Sequence, residues 1–158
     1  APGWHEDQQG RPFVGPAGKY LDELLVSINL NRQQVYIANV IKCRPTGNRD
    51  PLPTEISNCY KWLERQIESI APRMIVTLGR FSMSMFFPCK TISKIHGTAD
   101  KRGDIIYYAM YHPAAALHQR HLRETIDADM LRIPSLLARM EKITQVEPEP
   151  QQLKMFEN

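Results

Sequence analysis

The sequence predicts an α/β fold, three layers with helices on both faces of a mainly parallel central sheet. Three observations carry this expectation. Short apolar runs at residues 35–41, 74–78 and 105–110 are rich in β-branched and aromatic residues and read as buried strands. Stretches with helical spacing alternate with them. Gly, Pro and Asn clusters fall between the two kinds of segment. At 158 residues the chain has the size of one ordinary domain with a core of its own.

Taken in order, residues 1–15 are rich in Gly, Pro and Gln and read as loop. Pro16 suits a first helical position, and Tyr20, Leu21, Leu24, Leu25 and Ile28 fall on one face. The run 35–41 follows as a strand, interrupted by Asn39. Thr54 reads as the N-cap of a helix reaching Ile70, with Ile56, Cys59, Leu63, Ile67 and Ile70 inward. Residues 74–78 form a strand closed by Gly79, and residues 81–87 a short helix. Residues 91–95 and 105–110 read as two further strands around the polar stretch between Gly97 and Gly103. Residues 127–143 are helical, with Pro134 set to kink or divide them. From Thr144 the composition gives little to bury, so 1–143 is taken as the domain and 144–158 as a disordered tail.

Composition sets the class. A hydrophobic content of 42% excludes a wholly disordered chain, and no apolar run is long enough to span a bilayer, so no membrane association is expected. The net charge of +3 leans mildly towards anionic partners. Three cysteines are an odd number and argue for a reducing cytoplasm over a disulfide framework. The chain opens at Ala1, inside a turn motif, and the reading expects its first strand to be missing. The segment Gly15-Pro16-Ala17-Gly18-Lys19 is not a phosphate loop: Phe13 stands where the first Gly is needed and Tyr20 where Ser or Thr is.

The chemistry concentrates at strand ends. Asn39 is an amide inside an apolar run, where open α/β sheets place ligands, and an amide pairs two-pronged with a group offering a donor beside an acceptor, such as a nucleobase edge. Lys42, Cys43 and Arg44 follow at once, then Pro45 and the turn Gly47-Asn48-Arg49-Asp50. His112 closes the run 105–110 and precedes Pro113. A solvated or structural role is the alternative for each of these residues, as it is for the loop residues Glu6 and Phe13.

Four blocks carry a resemblance. Ala1-Pro2-Gly3 with Glu6-Asp7, the run from Gln9 to Gly15, Lys42-Cys43-Arg44-Pro45 with Gly47-Asn48-Arg49-Asp50, and Tyr111-His112-Pro113-Ala114-Ala115-Ala116-Leu117 occur in that order. Together they resemble the family 4 uracil-DNA glycosylases, the iron–sulfur branch of the uracil-DNA glycosylase superfamily. The resemblance runs from Ala1 to about Arg123. It implies a monofunctional hydrolase that removes uracil flipped out of single- or double-stranded DNA.

Roles follow residue by residue from that likeness. Phe13 stacks on the extruded base, Asn39 pairs with the N3–H and O4 edge of uracil, and Glu6 crowds the C5 side against thymine's methyl group. Gly3 borders the same pocket. His112 donates to uracil O2, where negative charge develops as the glycosidic bond breaks. Superfamily members with an aspartate in the first motif use it to orient water; Ala1 stands at that position here, so the expectation is dissociative cleavage with late water capture, aided by Asn48. Leu117 is the candidate plug for the gap in the duplex, with Arg120 and Arg123 on phosphates. Cys43 and Cys59, sixteen residues apart, match two of four thiolate ligands of a 4Fe–4S cluster, the other two expected upstream of residue 1. Gln152, Leu153, Lys154, Met155 and Phe156 resemble the peptide by which bacterial repair proteins dock on the sliding clamp. A cytoplasmic, nucleoid-associated monomer completes the expectation. The alternatives are a non-catalytic module for damaged or single-stranded DNA and a cluster-stabilised nucleotide-binding scaffold.

Overall fold

The computed structural model describes residues 1–144. Eight helices and three strands follow one another: α1 (Trp4–Gln9), α2 (Pro16–Ser27), α3 (Pro53–Ile70), β1 (Met74–Leu78), α4 (Arg80–Phe86), α5 (Ile92–Ile95), β2 (Ala99–Arg102), β3 (Ile105–Met110), α6 (Pro113–His118), α7 (His121–Leu131) and α8 (Ile133–Thr144). The expected tail and its clamp-type peptide lie outside the described residues.

The sheet has the order β1-β3-β2. β1 runs parallel to β3, Met74 opposite Ile106 through Leu78 opposite Met110. β2 returns antiparallel, Ala99 opposite Tyr108 through Arg102 opposite Ile105. The fold is α/β, with a small mixed sheet among the described residues. β3 is its central strand, and Tyr108, Ala109 and Met110 are wholly buried.

The α2 face read from the sequence is the one buried: Tyr20, Leu21, Leu24, Leu25 and Ile28 pack with Tyr108, Met110, Ala116, Ile126, Met130 and Ile133 in one core. Pro16 sits in the first turn, where its missing N–H costs nothing. Pro134 divides the last helical stretch, with α7 ending at Leu131 and α8 starting at Ile133. The helical stretch begins at His121, six residues before the expected start.

Several local expectations need correction. Residues 1–15 were expected as loop, yet Trp4–Gln9 form the short helix α1, with Glu6 and Asp7 in its first turn and Gly10 ending it at φ 62. Residues 35–41 form no strand. Val35 and Ile37 pack on the core and Ile41 is buried, but no described strand pairs with this segment. Apolar character buries a segment; a ladder also needs a partner edge in register. Residues 91–95 were expected as a strand and instead carry the helical turn α5, with Lys94 N–H donating to the Thr91 carbonyl. The turn closes on itself, with the His96 N–H donating to the Ile92 carbonyl at 2.9 Å, while the places on either side of β3 go to β1 and β2. In α3 the face Ile56, Cys59, Leu63 and Ile67 is only half-buried and Ile70 is exposed. Leu52, not Thr54, is the N-cap residue, and the Glu55 carboxylate accepts from the Leu52 N–H at 2.8 Å.

Candidate active site

β1 and β3 end at the same edge of the sheet, and the site grows from there. Gly79 follows β1 with φ 86 and donates its N–H to the Met110 carbonyl at 2.8 Å. A Cβ at Gly79 would stand 2.9 Å from the Cβ of His112, so a glycine is what lets the two strand ends close. His112 is thereby held at the head of α6, and its Nδ1 accepts the Ala114 N–H at 3.1 Å as a helix N-cap.

That bond fixes the tautomer. With Nδ1 accepting, the neutral ring carries its proton on Nε2. Nε2 has no partner among the described residues, so the N–H is free to donate. Burial pushes the His112 pKa down to about 4; the nearby amino terminus adds to this and the Glu6 carboxylate opposes it. The imidazole is neutral at pH 7.

The ring of Phe13 stacks on that imidazole, centroids 5.2 Å apart and planes 19° from parallel. Phe13 holds φ 55, and its loop is fastened from both sides. Arg32 donates from Nη2 to the Phe13 carbonyl at 2.6 Å and from Nη1 to the Pro12 carbonyl at 3.0 Å. Glu6 Oε1 accepts from the N–H groups of Val14 and Gly15 at 3.0 and 3.1 Å. Burial opposes the Glu6 charge, but these backbone donors outweigh it and the carboxyl pKa is lowered. Glu6 is therefore no free loop acid: it pins the Phe13 loop, and a Cβ at Gly3 would stand 2.6 Å from its Oε2.

Asn39 lies in the extended segment before Lys42. Its side-chain amide has no partner among the described residues and is not sealed from solvent. Lys42 Nζ donates to the Asn39 carbonyl and to Gln66 Oε1, both at 2.8 Å, and Gln66 donates to the Tyr36 hydroxyl at 2.9 Å. This chain of bonds fixes the Asn39 backbone to α3 without a β-ladder. Burial lowers the Lys42 pKa, while the neighbouring Cys59 sulfur raises it.

Asn48 lines a cleft of about 220 Å³ with Ala1, Gly3, Asp50 and Phe81. The structure thus brings the first and third blocks together, and separately joins Phe13 to His112. Leu117 is 47% exposed on the last turn of α6, five residues from His112, and Arg120 is exposed at the start of α7. Arg123 differs: it donates to Glu23 Oε2 at 2.6 Å and lies over the Tyr20 ring at 4.5 Å, so it ties α7 to α2.

Cys43 is exposed and Cys59 half-buried. Among the described residues no three His, Cys, Asp or Glu side chains gather as a metal site. Two thiols do not satisfy a cluster that takes four, so the residues present do not complete the expected ligand set. No described helix is long and apolar enough to cross a membrane.

Sequence reasoning placed Lys42 and Arg44 at the site but missed Gly18 and Gly79 as parts of its frame. Gly18 stood in the open within the rejected phosphate-loop motif, but its constraint comes from the Phe13 backbone across the turn.

A family model described as the uracil DNA glycosylase superfamily matches residues 1–131. The type-4 uracil-DNA glycosylase of Archaeoglobus fulgidus is 46% identical over 147 residues, which cover 86% of this chain and 73% of that protein. The type-4 uracil-DNA glycosylase of Sulfurisphaera tokodaii is 45% identical over 146 residues, 86% of this chain and 66% of the relative. A third, from Saccharolobus solfataricus, is 43% identical over 148 residues, 87% of this chain and 68% of the relative.

Proposed function

The chain belongs to the uracil-DNA glycosylase superfamily, and we infer that it hydrolyses the N-glycosidic bond of uracil in DNA, opening base-excision repair. The observation that carries this reading is a neutral His112, its Nδ1 committed to Ala114 and its Nε2–H free, stacked against Phe13.

The chemistry follows from charge. Cleavage leaves the bonding electron pair on uracil, spread over N1 and the two carbonyl oxygens, and an oxocarbenium-like sugar. A donor fixed at O2 gains most when that charge has developed, which lowers the barrier selectively. His112 supplies it as Nε2–H without surrendering its proton. Water then adds its hydroxyl to the sugar C1′, and its proton leaves to solvent or to the uracil anion.

Specificity falls to Asn39, whose free amide pairs with N3–H and O4 of uracil; cytosine presents the opposite pattern there. Glu6 and Gly3 border the C5 side, and Phe13 stacks on the base. Asn48 serves the water-facing side. Leu117 plugs the vacated stack, with Arg120 on a flanking phosphate. Arg123, held by Glu23, contributes to the DNA face mainly as part of the α2–α7 joint.

Two finer readings accompany the activity. Cys43 and Cys59 are two of the four thiolates that a 4Fe–4S cluster takes. No step of the reaction runs through it. The peptide from Gln152 to Phe156 docks the enzyme weakly on a sliding clamp, since ordering a flexible peptide offsets part of its contact energy.

The test is single-turnover cleavage of a uracil-containing oligonucleotide beside DNA affinity. His112→Ala is expected to lower the cleavage rate far more than the affinity. Equal losses in both would make the chain a binding module.

A further inference from the structure

Asn48 is held in an unusual way. It has φ 54 and follows Gly47 with φ 66, two left-handed residues in succession. Its backbone N–H closes the turn onto the Pro45 carbonyl at 3.1 Å. Asparagine tolerates this region better than most residues, yet the conformation still costs energy that the surroundings must offset. The turn sets Asn48 among the residues that line the cleft.

Arg44 then decides which end of the carboxamide is used. Its Nε donates to Asn48 Oδ1 at 2.7 Å. A guanidinium has only donors, so the atom it meets must be the oxygen, and the amide cannot flip. The Nδ2 group is left facing away from Arg44 on a residue that lines the cleft. The far side of the turn is fixed as well. Arg49 reaches Glu55 with two bonds, 2.9 and 2.6 Å, and Asp50 pairs with Arg80 from α4.

We propose that Arg44 is a positioning residue that holds Asn48 with its N–H groups towards the cleft, making Asn48 a hydrogen-bond donor to an oxygen there and not an acceptor of a water proton. The proposal rests on the reading of Asn48 as a site residue. It also gives that reading a direction. A donor holds the oxygen of a late-captured water but cannot draw off its proton, which suits a reaction whose cationic sugar is formed before water adds.

The experiment is a set of four variants measured by single-turnover cleavage of uracil DNA, with affinity measured in parallel. Asn48→Ala lowers the cleavage rate by about tenfold to a hundredfold, the scale of a lost orientation. Asn48→Asp, which keeps the acceptor and can still pair with Arg44, loses at least as much. Arg44→Ala costs about tenfold in the parent chain and less than about twofold in the Asn48→Ala background, because its effect passes through Asn48. Full activity in Asn48→Asp overturns the donor assignment. An equal Arg44→Ala loss in both backgrounds, appearing in affinity and falling with salt, makes Arg44 a phosphate contact and overturns its positioning role. If Asn48→Ala cleaves like the parent, the reading of Asn48 beneath the proposal is what fails. A readout free of activity stands beside these: the Arg44 Nε–H resonance is protected from exchange in the parent and loses that protection in Asn48→Ala. Exchange as fast as in a free arginine in the parent chain overturns the proposal.

Discussion

The imidazole of His112 and the ring of Phe13 lie nearly parallel with centroids 5.2 Å apart, although 99 positions separate them in the chain. The pair depends on a glycine. A Cβ at Gly18 would lie 1.8 Å from the Phe13 carbonyl oxygen, a backbone atom that Arg32 also holds. Gly18→Ala should push the Phe13 loop off His112, destabilise the fold by about 1–3 kcal/mol and lower uracil cleavage. Urea unfolding and cleavage kinetics check both; an unchanged cleavage rate would show that the stack is dispensable.

His112 should make stability depend on acid. Its pKa falls from 6.5 to about 4 on folding, chiefly through burial, so between those values the unfolded chain binds the proton and the folded chain does not. Stability is therefore present in full above pH 6.5 and declines as the pH drops towards 4, by up to about 3 kcal/mol. His112→Gln should flatten this slope. Urea midpoints between pH 7 and pH 4.5 for both proteins measure it, and parallel curves would remove His112 as the cause.

Base choice should follow Asn39. Its amide has no partner among the described residues, so Asn39→Asp disturbs no bond of the fold. Uracil cleavage should drop sharply with stability little changed, and cytosine should become a weak substrate. Competing uracil, cytosine and thymine oligonucleotides are the measurement. Full uracil activity in the variant would sink the assignment.

The cluster prediction concerns ligand number. Residues 1–158 should hold no stable 4Fe–4S cluster, because Cys43 and Cys59 provide two thiolates where four are the usual set. Iron and sulfide analysis with visible absorbance after reconstitution tests this. Stoichiometric iron in a monomeric preparation would contradict it.

Removing residues 152–158 should leave cleavage of short oligonucleotides unchanged and abolish binding to a purified sliding clamp. Equal clamp binding by the intact and shortened chains would dismiss the peptide as a ligand.

What the sequence by itself determined is what local pattern and motif order can carry. The buried face of α2, the strands β1 and β3, and the break at Pro134 each follow from periodicity or from a residue's own backbone constraint. The four ordered blocks named the family and pointed to Glu6, Phe13, Asn39, Asn48 and His112. Tertiary structure alone decided what depends on a partner far along the chain. Residues 35–41 have the composition of a strand but pair with no described strand, and residues 91–95 close a helical turn instead. Arg123 reads as a free cation until Glu23 and Tyr20, a hundred or so positions earlier, take it. Glu6 becomes the pin of the Phe13 loop only when Val14 and Gly15 turn their N–H groups towards it. The proton on His112 Nε2 and the facing of the Asn48 amide are set by single hydrogen bonds to Ala114 and Arg44. Burial can be read from hydrophobic spacing because it is a property of one segment. A hydrogen bond's direction belongs to two groups at once, and only the folded chain brings them together.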